Sequence, residues 1–336
     1  TFTSTASDSL LIDVFAQEVE ADVFLSTHYT TPTKIPSVLI VNDMIPEIFR
    51  LNMNLRAWQE KELAISFAQY FLCVSENTRK DLLRIYPDIA PERVATAHCG
   101  LELKEFRPRQ ANEVSEFRQT FGVMESYCLL VGSREQHSGY ENAGLLFDAL
   151  KMGPQLFGAA HSIRQTELQI LCIGGEPEMK PHFLEGLPEK VSVKRLDLTD
   201  DELACAYSGA RALVYTSHYQ GLGLPVVEAM SCGCPVITTP HGSLKEMAGD
   251  AALFISGNDP SELTSALISA CEPAKREELR ARGLERARSF NCDSMAAELH
   301  SLILKAADDG ASPEMREFFN EWNRLRRIQA GVDVSL

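Results

Sequence analysis

No apolar run in this chain approaches the ~20 residues that a membrane-spanning helix needs. Basic residues are in deficit: 32 Lys and Arg stand against 47 Asp and Glu, a net charge of −15 over 336 residues. That deficit excludes a broad nucleic-acid or anionic-membrane footprint, because both require a net basic surface. The one locally basic stretch, Arg324, Arg326 and Arg327, reads as a solvated helix face. The nine cysteines give neither a disulfide framework nor a zinc spacing. Cys232 and Cys234 flank one glycine with no histidine pair beside them. Scattered thiols of this kind suit a reducing compartment. Residues 1–8 are polar and lack the basic start of a signal peptide. The expectation is a cytoplasmic protein, in at most peripheral contact with the inner face of a membrane. There is no Asp-x-Asp pair, no histidine cluster suited to a metal, and no internal repeat.

What is present is ordinary globular material, 45% hydrophobic and 24% charged, with length for two domains. Short runs rich in Val, Ile and Leu lie at 38–42, 70–75, 94–98, 127–132, 168–174, 191–196, 212–216, 235–239 and 252–255, with a further strand-like run at 22–26. They are unbroken rather than alternating, as expected of parallel strands buried on both faces. Helical patterns separate them, for example at 76–86, 200–210 and 260–270. The alternation predicts a doubly wound α/β architecture. Pro108, the polar run 110–116 and Gly122 interrupt the pattern and suggest an N-terminal domain over 1–122. A second domain would span 123–292, followed by C-terminal helices over 293–336. The first domain looks short, with few strand candidates and no early strand leading into a glycine-rich turn. A helix at 314–328 carries Phe318, Phe319, Trp322, Leu325 and Ile328. It either packs on the first lobe or begins a linker to a further domain of a longer chain.

The most informative text follows the strand at 212–216: Ser217-His218-Tyr219-Gln220-Gly221-Leu222-Gly223-Leu224-Pro225-Val226-Val227-Glu228-Ala229-Met230. A proline suits the first turn of a helix, where its missing N–H costs nothing. A helix starting near Pro225 would turn its unpaired N–H groups and positive dipole end toward a glycine loop without bulky side chains. That is a ready phosphate site, beyond the C-terminal ends of the strands. Glu228 is expected in the first helical turn, where a carboxylate suits the dipole and can accept from ribose hydroxyls. Two strand ends in the first half also carry candidates. His28 either faces a ligand cleft or is a loop histidine bonded to backbone. Asp43 either orients a cleft group or caps the helix after Pro46.

The 217–230 text resembles the signature of the retaining glycosyltransferase family 4, Glu-Gly-Phe-Gly-Leu-Pro, a second Glu, then Ala-Met-Ala-x-Gly-x-Pro-Val. Val131-Gly132-Ser133-Arg134 with Tyr140-Glu141-Asn142 resembles the family's donor-phosphate loop. Ile173-Gly174-Gly175-Glu176-Pro177 resembles the turn beside the nucleotide base. The stretches 200–210 and 243–252 also resemble family segments, and 42–47 and 74–82 do so more loosely. The resemblance covers residues 20–300.

It implies a GT-B fold, two Rossmann-like domains facing a cleft. The implied reaction is metal-independent, retaining transfer of a hexose, mannose or glucose, from a UDP- or GDP-linked donor to a glycan or lipid-linked glycan acceptor, in polysaccharide or lipopolysaccharide biosynthesis. No cofactor other than the donor substrate is implied. Arg134 would hold the diphosphate, Gln220 would lie by the hexose, and His28 and Asp43 would complete the catalytic set. Gly132, Ser133, Gly175, Leu198, Gly221, Leu222, Gly223 and Leu224 would line the donor, with Glu228 on the ribose. The chain departs from the family pattern twice: Gln220 stands at the first Glu of the signature, and Glu141 at the lysine of the phosphate loop. Two other readings fit the same text: a weakened or non-catalytic relative serving as a binding or assembly partner, and a sugar-nucleotide epimerase on the same fold.

Overall fold

Each of the nine unbroken apolar runs forms a parallel strand, and the run at 22–26 forms a tenth. The computed structural model describes residues 5–100, 105–134, 140–152, 167–310 and 320. The expected helix at 314–328 and its three arginines lie outside the described residues, Asn320 aside. None of the nine cysteines, all of them described, is in a disulfide. No described helix is long and apolar enough to cross a membrane.

The chain divides into two units. Residues Thr1–Ala97 with Ser294–Leu336 make the first, and His98–Asp293 the second. In the first, β1 (Phe24–Ser26), β2 (Ser37–Val41), β3 (Tyr70–Cys73) and β4 (Val94–Thr96) form a parallel sheet in chain order. All five residues of β2 are buried, which explains its lack of alternation. Leu39, Val41, Phe71, Cys73 and Leu82 are central to its core. The helix Glu76–Ile85 leaves β3 through Ser75, whose hydroxyl accepts from the Thr78 amide at 3.0 Å.

The second unit is a six-stranded parallel sheet. Its strands are β5 (Tyr127–Val131), β6 (Leu168–Ile173), β7 (Val191–Leu196), β8 (Leu213–Tyr215), β9 (Val236–Thr238) and β10 (Ala252–Phe254), in the order β10-β9-β8-β5-β6-β7. The chain builds outward from β5 to β7, then returns to the other side of β5 with β8.

The break in pattern at 107–123 is not the boundary between the units. It frames a helix, Ala111–Phe121, with a capping box of Gln110 and Glu113 at its start and Gly122 at φ 57° at its end. This helix belongs with the second unit, so the division falls between Ala97 and His98 rather than at 122. The Arg109 amide donates to Ser208 Oγ at 3.0 Å and its guanidinium to Asp201 at 2.6 Å. The Phe106 ring lies 6.4 Å from Tyr207. The final described helix, Cys292–Asp309, spans the division, with Ser294 onward in the first unit.

Candidate functional site

In an open parallel sheet, a crevice forms at the C-terminal ends of two adjacent strands whose connections lead away in opposite directions. Here those strands are β5 and β8. Two segments leave them, 132–134 after β5 and 216–223 after β8, and hydrogen bonds tie the later part of the first connection to the second. The His218 amide donates to Tyr140 O at 2.8 Å, and the Thr216 hydroxyl to Asn142 O at 2.7 Å. Asn142 Nδ2 in turn donates to Gly257 O at 2.7 Å, beyond β10. The predicted residues Gly132, Ser133, Arg134, Gln220, Gly221, Leu222 and Gly223 all lie on these two exits.

The helix after β8 is Leu224–Ser231, with Gly223 as N-cap and Pro225 second. Gly223 has φ 82°, and a Cβ there would meet Leu244 Cδ2 at 2.7 Å. The backbone therefore favours glycine, and any side chain would have to displace the tip of Leu244. Ser243 braces the loop: its amide and hydroxyl donate to Gln220 O at 3.1 and 3.0 Å. The Gln220 side chain donates to Ser217 Oγ at 3.1 Å.

Glu228 is the fifth residue of this helix, not part of its first turn. The helix starts one residue before the proline, which carries Glu228 beyond the reach of the dipole's first-turn stabilisation. It is held instead by Tyr207, a fully buried residue of the helix Asp200–Gly209, whose hydroxyl donates to Glu228 Oε2 at 3.0 Å. Burial raises the Glu228 carboxyl to about 7, and the Asp200 charge adds to this, while the Tyr207 hydrogen bond opposes it. A carboxyl raised in this way changes charge in the neutral range rather than in the acid range of a free glutamate.

Arg134 occupies a different place from the exposed cation that its position after a strand suggests. Its side chain is 1% exposed. The guanidinium donates to Gly174 O at 2.8 Å and to Glu176 O. The Glu176 carboxylate accepts from the Arg134 amide at 2.8 Å and from the Ser133 hydroxyl. Burial pushes this carboxyl up, but those hydrogen bonds and the guanidinium charge outweigh it and bring it to about 2. Arg134 thus clamps the turn after β6, leaving only Nε without a hydrogen-bond partner among the described residues. Gly175 permits the clamp: at φ 64°, an added Cβ would stand 2.4 Å from Gly132 O. Arg134 also borders a cavity of about 360 Å³ with Asp148, Lys151, Lys180, His182 and Phe183. Lys151 ends the helix Gly144–Lys151, about 10 Å from its start, and its ammonium donates to His182 O at 2.5 Å.

Leu198 is half-buried in the turn between β7 and Thr199, the N-cap of the next helix. His218 and His241 stand 6.2 Å apart, and burial followed by the neighbouring imidazole lowers the His218 pKa. His28 and Asp43 lie in the first unit. His28 is exposed, with its ring 4.3 Å from that of Tyr29. Asp43 Oδ1 accepts from the Ile45 amide at 2.9 Å in a local turn before the helix Ile45–Ile48, whose N-cap is Met44, and it faces the buried Lys61 at 3.5 Å. Sequence reading missed Tyr207, Ser243 and Thr216 as supports, although all three fall within text that had already drawn notice.

Residues 144–272 match the family model of the Glycosyl transferases group 1. The chain is 27% identical over 258 residues to the O-antigen chain mannosyltransferase B of Escherichia coli, covering 73% of this chain and 64% of that one. It is 30% identical over 236 residues to the D-inositol 3-phosphate glycosyltransferase 1 of Catenulispora acidiphila, covering 66% and 54%. Among solved structures, Anabaena Alr3699/HepE in complex with UDP and glucose superposes with a TM-score of 0.66 at 17% identity, covering 87% of this chain and 81% of that one. The chain spans between 54% and 64% of the length of the first four curated relatives it matches. The fold is that of the GT-B glycosyltransferases, and within the second unit residues 144–272 resemble the group 1 glycosyl transferases.

Proposed function

We propose that this chain transfers a hexose from a nucleoside diphosphate sugar to a hydroxyl of a glycan or lipid-linked glycan acceptor. The observation that carries this reading is the helix N-terminus at Leu224, fed by the loop 221–223 at the β5/β8 crevice, with Glu228 one turn further in. Free amides at such an end take phosphate oxygens, and a carboxylate one turn along takes vicinal ribose hydroxyls. The HepE complex, with UDP and glucose on the same fold, supports the donor class. The mannosyltransferase relatives favour mannose as the sugar.

In the proposed reaction the bond from the anomeric carbon to the diphosphate oxygen breaks, and a bond to the acceptor oxygen forms on the same face. The acceptor proton passes to the departing phosphate. The protein's part is to hold the diphosphate on the 221–224 amides, so that developing negative charge meets donors already oriented. Gln220 would lie by the hexose. Ser133 and Arg134 act from behind, fixing the turn at Gly175. The proposed setting is cytoplasmic synthesis of a cell-surface polysaccharide.

Calorimetric titration with UDP, GDP and their hexose conjugates tests this. One nucleotide should bind in the micromolar range, with affinity falling at least about tenfold in Glu228→Ala, since a hydrogen bond to a charged group is worth ~1.5–3 kcal/mol. Absence of binding to all of them would overturn the donor site. A non-catalytic role is favoured by one observation, the enclosure of Arg134. Nucleotide binding without sugar transfer to any acceptor or to water would select it.

A further inference from the structure

The chain crosses between its two units at two places, 97/98 and 293/294. A cysteine stands just inside the second unit at each of them, Cys99 after His98 and Cys292 before Asp293. Within that unit the two passages lie against each other. Gly100 is pressed on the backbone of residues 291–292, where an added Cβ would stand 2.2 Å from Cys292 N and 2.4 Å from Cys292 Cα. On the other side of Cys99, His98 Nε2 lies 2.7 Å from Glu246 Oε1, and the His98 ring lies 5.3 Å from that of the buried Phe290. Both neighbours of Cys99 are thus fastened beside residues 290–292.

These contacts bring the two cysteines within reach of a disulfide. The 2.4 Å approach, one carbon–carbon bond of ~1.5 Å and the ~3.8 Å step between consecutive α-carbons set an outer bound of about 8 Å between the Cys99 and Cys292 α-carbons. The separation a disulfide needs, ~4.4–6.8 Å, lies inside that bound. The thiols also sense each other, since burial raises the Cys99 pKa and the neighbouring Cys292 charge adds to the rise. Access favours this pair as well. Cys292 is the one exposed cysteine of the nine, all of them described, and Cys99 is half-buried, whereas Cys73, Cys128, Cys172, Cys232 and Cys234 are buried.

We propose that Cys99 and Cys292 are a redox-sensitive pair, which a peroxide converts into a disulfide that joins the two chain passages and closes residues 99–292 into a covalent loop. The chemistry balances in two steps. The Cys292 thiolate attacks one peroxide oxygen, which gives a sulfenic acid, and the other oxygen leaves as water after protonation. The Cys99 sulfur then attacks the Cys292 sulfur, the S–S bond forms, and the hydroxyl leaves with a proton as a second water. Two thiols lose two hydrogens, and the peroxide is reduced to two waters. In a reducing compartment such a bond is transient, and small thiols return it to the dithiol. The closed loop holds all six strands of the second sheet and none of the first. It restricts the unfolded second unit, so the oxidised protein should resist unfolding more than the reduced one. None of this depends on the donor site.

The test exposes the whole folded, reduced chain to a few equivalents of hydrogen peroxide, then denatures, alkylates and digests it. A peptide pair joined through Cys99 and Cys292 should dominate the cross-linked products. The intact mass should fall by two hydrogens, with two of the nine thiols lost to alkylation. Cys99→Ser should halt at the sulfenic acid on Cys292, which dimedone labels, and Cys292→Ser should give neither label nor link. The urea midpoint should rise on oxidation of wild type, return with dithiothreitol, and stay unmoved in both serine variants. Absence of the joined peptide pair in wild type, or links at other cysteines in equal yield, would overturn the proposal whatever the variants do. An unmoved midpoint in the linked protein would overturn the closure of the second unit.

Discussion

The two sheets are built from the same kind of strand and differ in strand order. In the first unit the described strands run from β1 to β4 in chain order across the sheet. Each crossover steps in the same direction, and with right-handed crossovers all the connections fall on one face. In the second unit the chain steps from β5 to β7, then reverses to β8 and continues to β10. The connections part at β5 and β8, and the strand ends between them are left open to a ligand. A site therefore belongs to the second sheet for a topological reason, before any side chain is considered. The polar groups of the two sheets sort accordingly. Buried charge in the first unit closes on itself, as Lys61 does on Glu47 at 2.9 Å and on Asp43. In the second unit the Arg134–Glu176 clamp closes on itself as well, but Gln220 and Glu228 lie on the exit of β8 and the helix that follows it.

The contrast is broken most severely at Lys61. Its side chain is 1% exposed and lies against Glu47, itself 8% exposed. Lys61→Met strands a buried carboxylate and should cost about 3–5 kcal/mol of stability. Urea unfolding should show that loss, while nucleotide affinity measured on the folded protein stays at the wild-type value. A loss under about 1 kcal/mol would mean that the ion pair is solvated, and a parallel fall in affinity would erase the distinction between the two sheets.

A smaller effect, opposite in kind, is expected at Glu228. Its folded carboxyl is raised from 4.5 to about 7, chiefly by burial. A raised folded pKa contributes stability that is fully present below pH 4.5 and is lost as pH rises through 7. A gap of this size corresponds to something on the order of 3 kcal/mol across that window. Glu228→Gln removes the dependence, so its melting temperature relative to wild type should rise between pH 5 and pH 8. Nucleotide affinity should run the other way, increasing with pH through 7 in wild type as the accepting carboxylate forms, and staying flat in the variant. Parallel pH profiles for the two proteins would show that Glu228 titrates elsewhere or stays away from the ligand.

How much of this was legible in the sequence follows from where each residue finds its partner. Strands buried on both faces announce themselves as unbroken apolar text, so 38–42 and 127–132 were readable without any knowledge of their neighbours. The Gly223-Leu224-Pro225 helix start was equally local, since proline and glycine act through their own backbone. Arg134 was not legible. Its position after a strand describes both a ligand-binding arginine and a clamp, and the decision lies with Glu176, 42 residues away in sequence. Tyr207 was hidden in the same way, being 21 residues from the carboxylate it serves. Pro108 and Gly122 were read as marking a domain boundary because the same two residue types also bracket a helix, and only packing against the helix Asp200–Gly209 shows which sheet that helix serves.

The smallest expected effect sharpens the comparison where the two sheets are most alike, at a strand exit leading into a helix. After β3 the helix Glu76–Ile85 is capped by a side chain, with Ser75 accepting from the Thr78 amide at 3.0 Å. After β8 the helix Leu224–Ser231 has Gly223 at its cap and no side-chain acceptor; Pro225 has no N–H and the Val226 amide donates to Gly223 O at 3.0 Å, which leaves the Leu224 amide for a ligand. A capped end spends its N–H groups on the protein, and an uncapped one leaves them for phosphate. Ser75→Ala should therefore cost about 1 kcal/mol of stability and leave nucleotide affinity unchanged. Gly223→Asn should do the reverse: asparagine tolerates the positive φ, but its side chain is placed beside the Leu224 amide and should weaken nucleotide binding. The crowding against Leu244 makes that variant less stable as well, so the measurement that decides is affinity rather than melting. Undiminished nucleotide affinity in a folded Gly223→Asn protein would mean that the Leu224 amide does not hold the diphosphate.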